Sequence, residues 1–129
     1  MAAPRFIHLR VHTEYSLLEG AVRLKKLPGM IADMGMPAVA VTDTNNMFCA
    51  LEFAEGAAKA GVQPIMGCQV DLTFDASEPG VRAKEPAPVV LLAQNEVGYE
   101  NLMMLNSCLY VDKGGQLPQV TVDELTAHA

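Results

Sequence analysis

Alternating apolar and polar residues predict a β-strand near the start of the chain, over residues 6–12. Residues 37–42 and 89–93 are short and almost continuously apolar, which is typical of strands buried on both faces of a parallel sheet. Residues 63–71 form a further apolar run of strand length. The pattern therefore predicts four strands.

Helical periodicity fills the intervals between these strands. One helix is predicted over residues 22–34 and a second over residues 47–59, where Asn46 would cap the start and Gly61 the end. A third helix is predicted to begin after Asn95, with its apolar residues along one stripe.

Residues 74–88 are rich in proline, alanine and charge, and predict an exposed loop. Residues 122–125 begin a further element.

Alternating strands and helices favour a parallel α/β architecture. A closed (β/α) barrel takes roughly 250 residues. A chain of 129 residues therefore predicts one domain, either the front part of such a barrel or a complete open sheet.

Composition indicates a globular protein, since half of the residues are apolar and 19% are charged. The three cysteines are too scattered for a disulfide framework, and Cys49 and Cys68 are expected to be small core residues. No apolar run approaches the roughly 20 residues that span a bilayer, and no signal peptide is evident. A cytoplasmic location is the expectation.

The net charge of −6 is unevenly distributed. Residues 1–27 contain five basic and two acidic groups, whereas the other 102 residues contain four basic and thirteen acidic groups. Because DNA affinity comes largely from basic groups that neutralise phosphates, so acidic a segment is a poor candidate for binding DNA directly.

Three polar clusters fall at the predicted carboxyl ends of strands, where α/β proteins collect functional groups. They contain His12, Asp43 and Gln69. Histidine and carboxylate are Zn²⁺ or Mn²⁺ ligands in hydrolytic sites. Only His12 and Asp43 are strong ligands, however, and Arg10 has no lone pair to offer a metal. A hydrogen-bonded histidine and a loop-capping aspartate are therefore the commoner interpretation of these two residues.

Six segments follow one another in an order and with sequences that are typical of one protein family. They are residues 6–20, 35–43, 46–53, 60–67, 95–102 and 105–107. In this order they closely resemble the opening of the alpha subunits of bacterial DNA polymerase III. The resemblance covers nearly the whole chain and is weakest over residues 74–88.

The resemblance implies a polymerase and histidinol phosphatase (PHP) domain, a distorted (β/α)₇ barrel with parallel strands. Residues 1–129 would form its truncated N-terminal portion, without the polymerase domains. The metal-ligand positions of that family fall partly on residues of other types. Carried onto this chain, the substituted positions are Arg10, Thr44 and Gln69, and the vestigial positions, expected to be empty, are His12, Asp43 and Glu19.

This comparison implies a degenerate metal site and no catalytic residue or cofactor in the segment. An ion pair of Arg10 with Asp43 or with Glu19 is expected to fill the space left by the metal. The parent would be a DNA-directed DNA polymerase, a nucleotidyltransferase of the bacterial replisome that uses Mg²⁺.

The segment itself is predicted to be a structural and interaction module. Its expected partners are the proofreading exonuclease subunit of the polymerase III core and the rest of the polymerase chain, with DNA and deoxynucleotides bound only through the parent. The alternatives are an active metal-dependent phosphoesterase or proofreading PHP domain, and a free-standing phosphatase such as histidinol phosphatase. The polymerase-type helix motifs argue against the last of these.

Overall fold

A computed structural model describes residues 5–74, 85–111 and 113–129. Within these ranges the chain forms five strands and four helices. The strands are β1 (His8–Val11), β2 (Ala38–Val41), β3 (Gln63–Thr73), β4 (Ala87–Leu92) and β5 (Val120–Thr121). The helices are α1 (Leu27–Asp33), α2 (Ala50–Ala60), α3 (Glu96–Cys108) and α4 (Val122–Ala127). None of the helices in this part of the chain is long and apolar enough to cross a membrane.

The strands form one mixed sheet in the order β1-β2-β3-β4. β1, β2 and the first half of β3 are parallel, with register pairs from Ala38 with Gln63 to Val41 with Met66. The second half of β3 pairs with β5 in parallel and with β4 in antiparallel orientation. The α/β fold class is therefore confirmed, with a mixed sheet.

The expectation that all strands are parallel is wrong for β4, whose register runs antiparallel to β3 from Gly67 with Leu92 to Leu72 with Ala87. Parallel neighbours need a crossover connection, usually a helix, whereas antiparallel neighbours can be joined by a loop. The sequence between β3 and β4 predicts only a loop over residues 74–88. Phe74 and residues 85–86 are exposed, and residues 75–84 lie outside the described residues.

The helix ends follow local signals to different degrees. Gly61 ends α2 in the left-handed conformation, with φ 74°, and the side chain of Asn95 accepts a hydrogen bond from the Gly98 amide at 2.8 Å, as predicted. The predicted start of α1 is wrong, because Val22 instead pairs with Thr13 in a parallel bridge. The predicted Asn46 cap is also wrong, since α2 begins later, at Ala50.

Two apolar clusters hold the helices against the sheet. α1 and α2 pack on β2 through buried residues that include Ile31, Phe53 and Val39. α3 packs on β3 through residues such as Leu105 and Val70. The apolar side chains of both clusters are almost completely buried. Burial of apolar surface is the main contribution of a core to the stability of the fold. Phe53 is fully buried and Leu105 is 2% exposed.

Candidate functional site

The predicted site residues lie together at one end of the parallel strands. β1 and β2 both end just before this region, and Thr44 pairs with Gln69 of β3 in a parallel bridge. The Gln69 amide donates to the Asp43 carbonyl at 3.0 Å, and the Asn45 amide donates to the Gln69 carbonyl at 2.8 Å. Backbone pairing thus continues beyond β2 and brings the polar residues of three chain segments side by side.

Asp43 is the centre of a buried cluster that we call the Asp43 hub, made of Thr13, Ser16 and Asp43. Its Oδ1 accepts hydrogen bonds from the Thr13 amide at 2.6 Å and from Ser16 Oγ at 2.7 Å. Its Oδ2 accepts from Thr13 Oγ1 at 2.8 Å. All three residues are at most 1% exposed. The carboxylate therefore ties the loop after β1 to the end of β2.

Arg10 and Gln69, two of the substituted positions, contact each other directly. Arg10 Nε donates to Gln69 Oε1 at 2.9 Å, and His12 Nε2 lies 3.2 Å from the same oxygen. Gln69 is only 5% exposed. One amide oxygen thus joins a permanently charged guanidinium to the imidazole of His12.

Glu19 links the other side of His12 to Thr44. His12 Nδ1 lies 3.4 Å from Glu19 Oε2, and Thr44 Oγ1 donates to the same carboxylate oxygen at 2.5 Å. The Glu19 side chain is about half exposed, at 49%, while that of His12 is 17% exposed. The five residues joined by these contacts are called the strand-end network: Arg10, His12, Glu19, Thr44 and Gln69.

The expected ion pair of Arg10 with Asp43 or Glu19 is wrong. Both carboxylate oxygens of Asp43 accept hydrogen bonds from Thr13 or Ser16, so the carboxylate belongs to the hub and is not paired with Arg10. Glu19 is occupied by His12 and Thr44, and Arg10 forms its side-chain hydrogen bond with a neutral amide. Asp43 thus binds the hydroxyl groups of Thr13 and Ser16, in the loop after β1, in place of the Arg10 guanidinium.

Asp71 is a neighbour of the site that sequence analysis missed. Burial raises the pKa of the Asp71 carboxyl above its ordinary value, and the negative charge of Glu19 raises it further. Asp71 follows Gln69 by two positions in β3, so both side chains lie on the same face of the strand. That period of two was the signal that could have found it.

Cys49 and Cys68 lie close to the hub and are buried, as expected of small core residues. Burial raises the pKa of the Cys49 thiol to about 12, with the Asp43 carboxylate as the next cause. Burial likewise raises the pKa of Cys68 to about 12, and Asp43 contributes. Because the thiolate is the reactive form, these protonated thiols are unsuited to nucleophilic chemistry.

Metal-binding side chains are sparse in this arrangement. Within residues 5–74, 85–111 and 113–129, no group of three or more histidine, cysteine, aspartate or glutamate side chains is placed to share a metal ion. His12 and Glu19 contact each other, and the carboxylate of Asp43 is hydrogen-bonded within the hub. What these residues do form is a continuous set of contacts between β1, β2 and β3.

The segment that contains this site matches a known protein family. The model of the PHP domain matches residues 8–129. The chain belongs to the PHP domain family. The family match includes all five residues of the strand-end network and all three of the Asp43 hub.

Curated relatives of this PHP chain are alpha subunits of DNA polymerase III. The chain is 43% identical over 117 residues to the subunit from Caulobacter vibrioides (strain NA1000 / CB15N), covering 91% of this chain and 10% of that protein. It is 39% identical over 124 residues to the subunit from Helicobacter pylori (strain J99 / ATCC 700824), covering 96% and 10%. With the subunit from Treponema pallidum (strain Nichols) it shares 38% identity over 133 residues, covering 100% and 11%. The chain therefore spans about a tenth of the length of these relatives.

A solved structure supports the fold assignment. An amidohydrolase from Chromobacterium violaceum, described with bound sulfate and no metal, superposes with a TM-score of 0.59 at 20% sequence identity. The match covers 80% of this chain and 32% of the amidohydrolase chain. At this identity the similarity concerns the fold alone, and it agrees with a segment of a PHP barrel.

Proposed function

We propose that this chain is the PHP segment of a replicative DNA polymerase III alpha subunit and acts there as a non-catalytic structural and interaction module. In this proposal the metal site is degenerate, with His12, Asp43 and Glu19 as vestigial positions and Arg10, Thr44 and Gln69 as substituted ones. The segment holds no catalytic residue and no cofactor of its own. The observation that carries the proposal is the strand-end network, in which the three substituted positions and two of the vestigial ones, His12 and Glu19, contact one another.

The charge of Arg10 is the main physical support. Arg10 Nε and His12 Nε2 both lie within 3.2 Å of the same Gln69 oxygen. A cation bound at His12 would therefore be within a few Å of a guanidinium. At an effective dielectric constant of about 20, two unit charges at 4 Å repel by roughly 4 kcal/mol, and a divalent ion doubles that cost. The residues present thus do not fit a metal ion.

The relatives described above, which are alpha subunits of DNA polymerase III, support the proposed activity of the parent protein. The complete protein would be a DNA-directed DNA polymerase that binds DNA, deoxynucleotides and Mg²⁺ through domains other than this one. A PHP segment without a metal offers no proofreading chemistry. Its proposed partners are therefore the remainder of the polymerase chain and a separate proofreading exonuclease subunit.

Metal analysis tests the degenerate site. The chain is dialysed against Zn²⁺ or Mn²⁺ and analysed by plasma mass spectrometry beside the variant Arg10→His/Thr44→His/Gln69→Glu, which restores the ligand types. We expect less than 0.1 metal ion per chain in the unchanged protein and a clear increase in the variant. Stoichiometric metal in the unchanged protein, together with phosphoesterase turnover, would refute the proposal and favour the active enzyme.

Calorimetry tests the interaction role. The chain is titrated with the exonuclease subunit of the same organism, and we expect a dissociation constant below about 10 μM, which corresponds to roughly −7 kcal/mol. An unrelated acidic protein of similar size serves as the control. Absence of binding at tens of micromolar would leave only a structural role within the polymerase.

A further inference from the structure

A cavity of about 360 Å³ lies between the loop after β1 and the segment that leads into α1. Four charged residues line it, and all four are exposed: Glu14, Arg23, Lys25 and Lys26. We call the three cations, Arg23, Lys25 and Lys26, the basic patch. None of them belongs to the Asp43 hub or the strand-end network.

The backbone that carries the basic patch is fixed by packing and by pairing. Leu24 lies within the patch sequence and is 2% exposed, as part of the core beneath α1. The Lys26 amide donates to the Arg23 carbonyl at 3.0 Å. Val22, which precedes the patch, pairs with Thr13 of the hub. A backbone that is already ordered lowers the entropic cost of binding a ligand.

The positive charge of the basic patch is not balanced by neighbouring carboxylates. In the part of the chain that the structure describes, the two ion pairs join His12 to Glu19 and Lys113 to Glu124, and neither involves the patch. Three cations and the single carboxylate of Glu14 leave two positive charges around the cavity. Exposed charges more than about 8 Å apart are largely screened at physiological ionic strength. The patch therefore keeps a positive potential although the whole chain has a net charge of −6.

A cavity lined by cations is better suited to phosphate groups than to a protein surface. Protein interfaces draw most of their affinity from buried aromatic and apolar anchors, and the four lining residues supply none. Nucleic-acid backbones are bound largely through charge, because each cation that contacts a phosphate releases a condensed counterion. The guanidinium of Arg23 can in addition bind two phosphate oxygens at once. These properties favour a phosphodiester backbone as the ligand.

We propose that the basic patch is a secondary contact site for the phosphate backbone of DNA. Its three cations would each neutralise one phosphate, and the carboxylate of Glu14 would limit the affinity. Because phosphate contacts carry no sequence information, the site would bind DNA without base specificity. This contact goes beyond the proposed function and adds to the DNA binding that the proposal assigns to other domains of the parent.

Fluorescence anisotropy tests the site on the whole 129-residue chain. A short labelled DNA duplex is titrated with the chain at low salt, where we expect a dissociation constant of about 10⁻⁴ M, typical of weak non-specific binding. With three phosphates neutralised, the affinity should fall about sixfold each time the salt concentration doubles. Absence of binding at tenfold higher chain concentration, or an affinity independent of salt, would overturn the proposal.

Matched variants locate the contact. Lys26→Ala should weaken DNA binding several-fold, and Lys25→Ala/Lys26→Ala should weaken it at least tenfold. Lys59→Ala removes the same charge from the last turn of α2, outside the cavity, and should leave the affinity within about twofold. Glu14→Gln should instead strengthen binding several-fold, because it removes the carboxylate from the cavity. Equal losses for Lys26→Ala and Lys59→Ala, or weaker binding by Glu14→Gln, would overturn the proposal.

Folding should survive each of these changes. The four altered positions are exposed, and the side chain of Lys26 forms no capping hydrogen bond at the start of α1. Circular dichroism of each variant checks this expectation before the titration.

Two competitors identify the source of the negative charge. We expect neither a poly-glutamate peptide nor tripolyphosphate to displace the duplex as effectively as unlabelled DNA does. Displacement by poly-glutamate at equal charge concentration would assign the patch to acidic proteins, and displacement by micromolar tripolyphosphate would assign it to a small phosphate compound. Either result would overturn the proposal. Because these titrations use the chain and DNA alone, their failure would leave the metal and exonuclease tests of the proposed function unaffected.

Discussion

The Asp43 hub and the strand-end network lie side by side but are built in opposite ways. In the hub, a carboxylate that is 1% exposed accepts three hydrogen bonds from the Thr13 and Ser16 groups around it. In the network, Glu19 is half exposed and its contacts compete with water. A buried donor that loses its acceptor costs about 1–3 kcal/mol, whereas exposed ion pairs contribute roughly 0–1 kcal/mol.

Within one predicted site, buried Asp43 therefore contributes to the stability of the fold, whereas half-exposed Glu19 contributes little to it. The hub fixes the loop between β1 and α1, so its residues are constrained by stability. The half-exposed Glu19 of the network can change its residue type at small cost to the fold. The following expectations test that separation, from the largest effect to the smallest.

Asp43→Ala should lower the free energy of unfolding by about 3–5 kcal/mol, because three donors near Asp43 lose their acceptor. Urea denaturation followed by circular dichroism measures the change. Asp43→Asn keeps one acceptor oxygen and should cost less. Asp33→Ala on α1, at an exposed position, is the matched control and should change stability by less than about 0.5 kcal/mol. Similar losses for Asp43→Ala and Asp33→Ala would contradict the hub.

Gly20→Ala should lower stability by about 2–4 kcal/mol, because a Cβ at Gly20 would overlap the carbonyl of Thr13 in the hub. Thermal unfolding measures the effect. Gly29→Ala is the control, since a Cβ there meets nothing within 4 Å and lies in α1. That change should instead stabilise the chain by about 0.5–1 kcal/mol. A neutral Gly20→Ala would show that the loop can shift without disturbing Thr13.

Alkaline pH should weaken the hub region through its two thiols. The pKa of Cys49 and of Cys68 is raised from 9.0 to about 12 by burial and the nearby Asp43 charge. Between these values the unfolded chain releases thiol protons that the folded chain retains, so stability is full below pH 9 and falls as the pH rises. We expect a loss of about 3 kcal/mol between pH 8 and 10, measured by urea denaturation.

The double variant Cys49→Ala/Cys68→Ala should show a flatter dependence on pH over the same interval. Thiol labelling at pH 8 gives a second measurement, in which half-buried Cys108 should react before either buried cysteine. Labelling of Cys49 or Cys68 in the folded chain at the rate of Cys108 would contradict the assignment.

Glu19→Gln should change stability by only about 0.5 kcal/mol or less, because the carboxylate of Glu19 is half exposed. Its visible effect should be on Asp71, whose raised pKa is caused first by burial and then by the charge of Glu19. Removing that charge should lower the pKa of Asp71, as measured by carboxyl NMR titration. Glu14→Gln is the control and should leave Asp71 unchanged. A large loss of stability in Glu19→Gln would mean that the network, too, supports the fold.

Local signals in the sequence predicted much of the fold. Gly61 and Asn95 mark helix ends through backbone conformation and capping, which depend on a few neighbouring residues. β5 was not predicted, because a strand of two residues exists only through its pairing with Leu72 and Thr73. The direction of β4 was also set by its pairing with β3. The absence of a helical pattern between β3 and β4 was the sequence signal that indicated an antiparallel pair.

The candidate site, like the fold, was predicted from the sequence only in part. Strand-end logic correctly brought His12, Asp43 and Gln69 to one end of the sheet. It did not predict that Asp43 would accept hydrogen bonds from Thr13 and Ser16 and form no ion pair with Arg10. The orientation of those hydroxyl groups depends on the path of the loop. Whether the site binds a metal stays a prediction, as do its proposed roles.

The reversed direction of β4 has a consequence for engineering the chain. The Ala93 amide donates to the Met66 carbonyl at 2.8 Å, so the turn after β4 lies toward the amino end of β3, away from the hub. Gln94 is exposed there, between the end of β4 and the Asn95 cap of α3. An epitope or affinity tag inserted between Gln94 and Asn95 would leave the hub, the network and the helix cap intact. A tag of equal length between Thr13 and Gly20 would disturb the side-chain hydrogen bonds of Asp43 with Thr13 and Ser16.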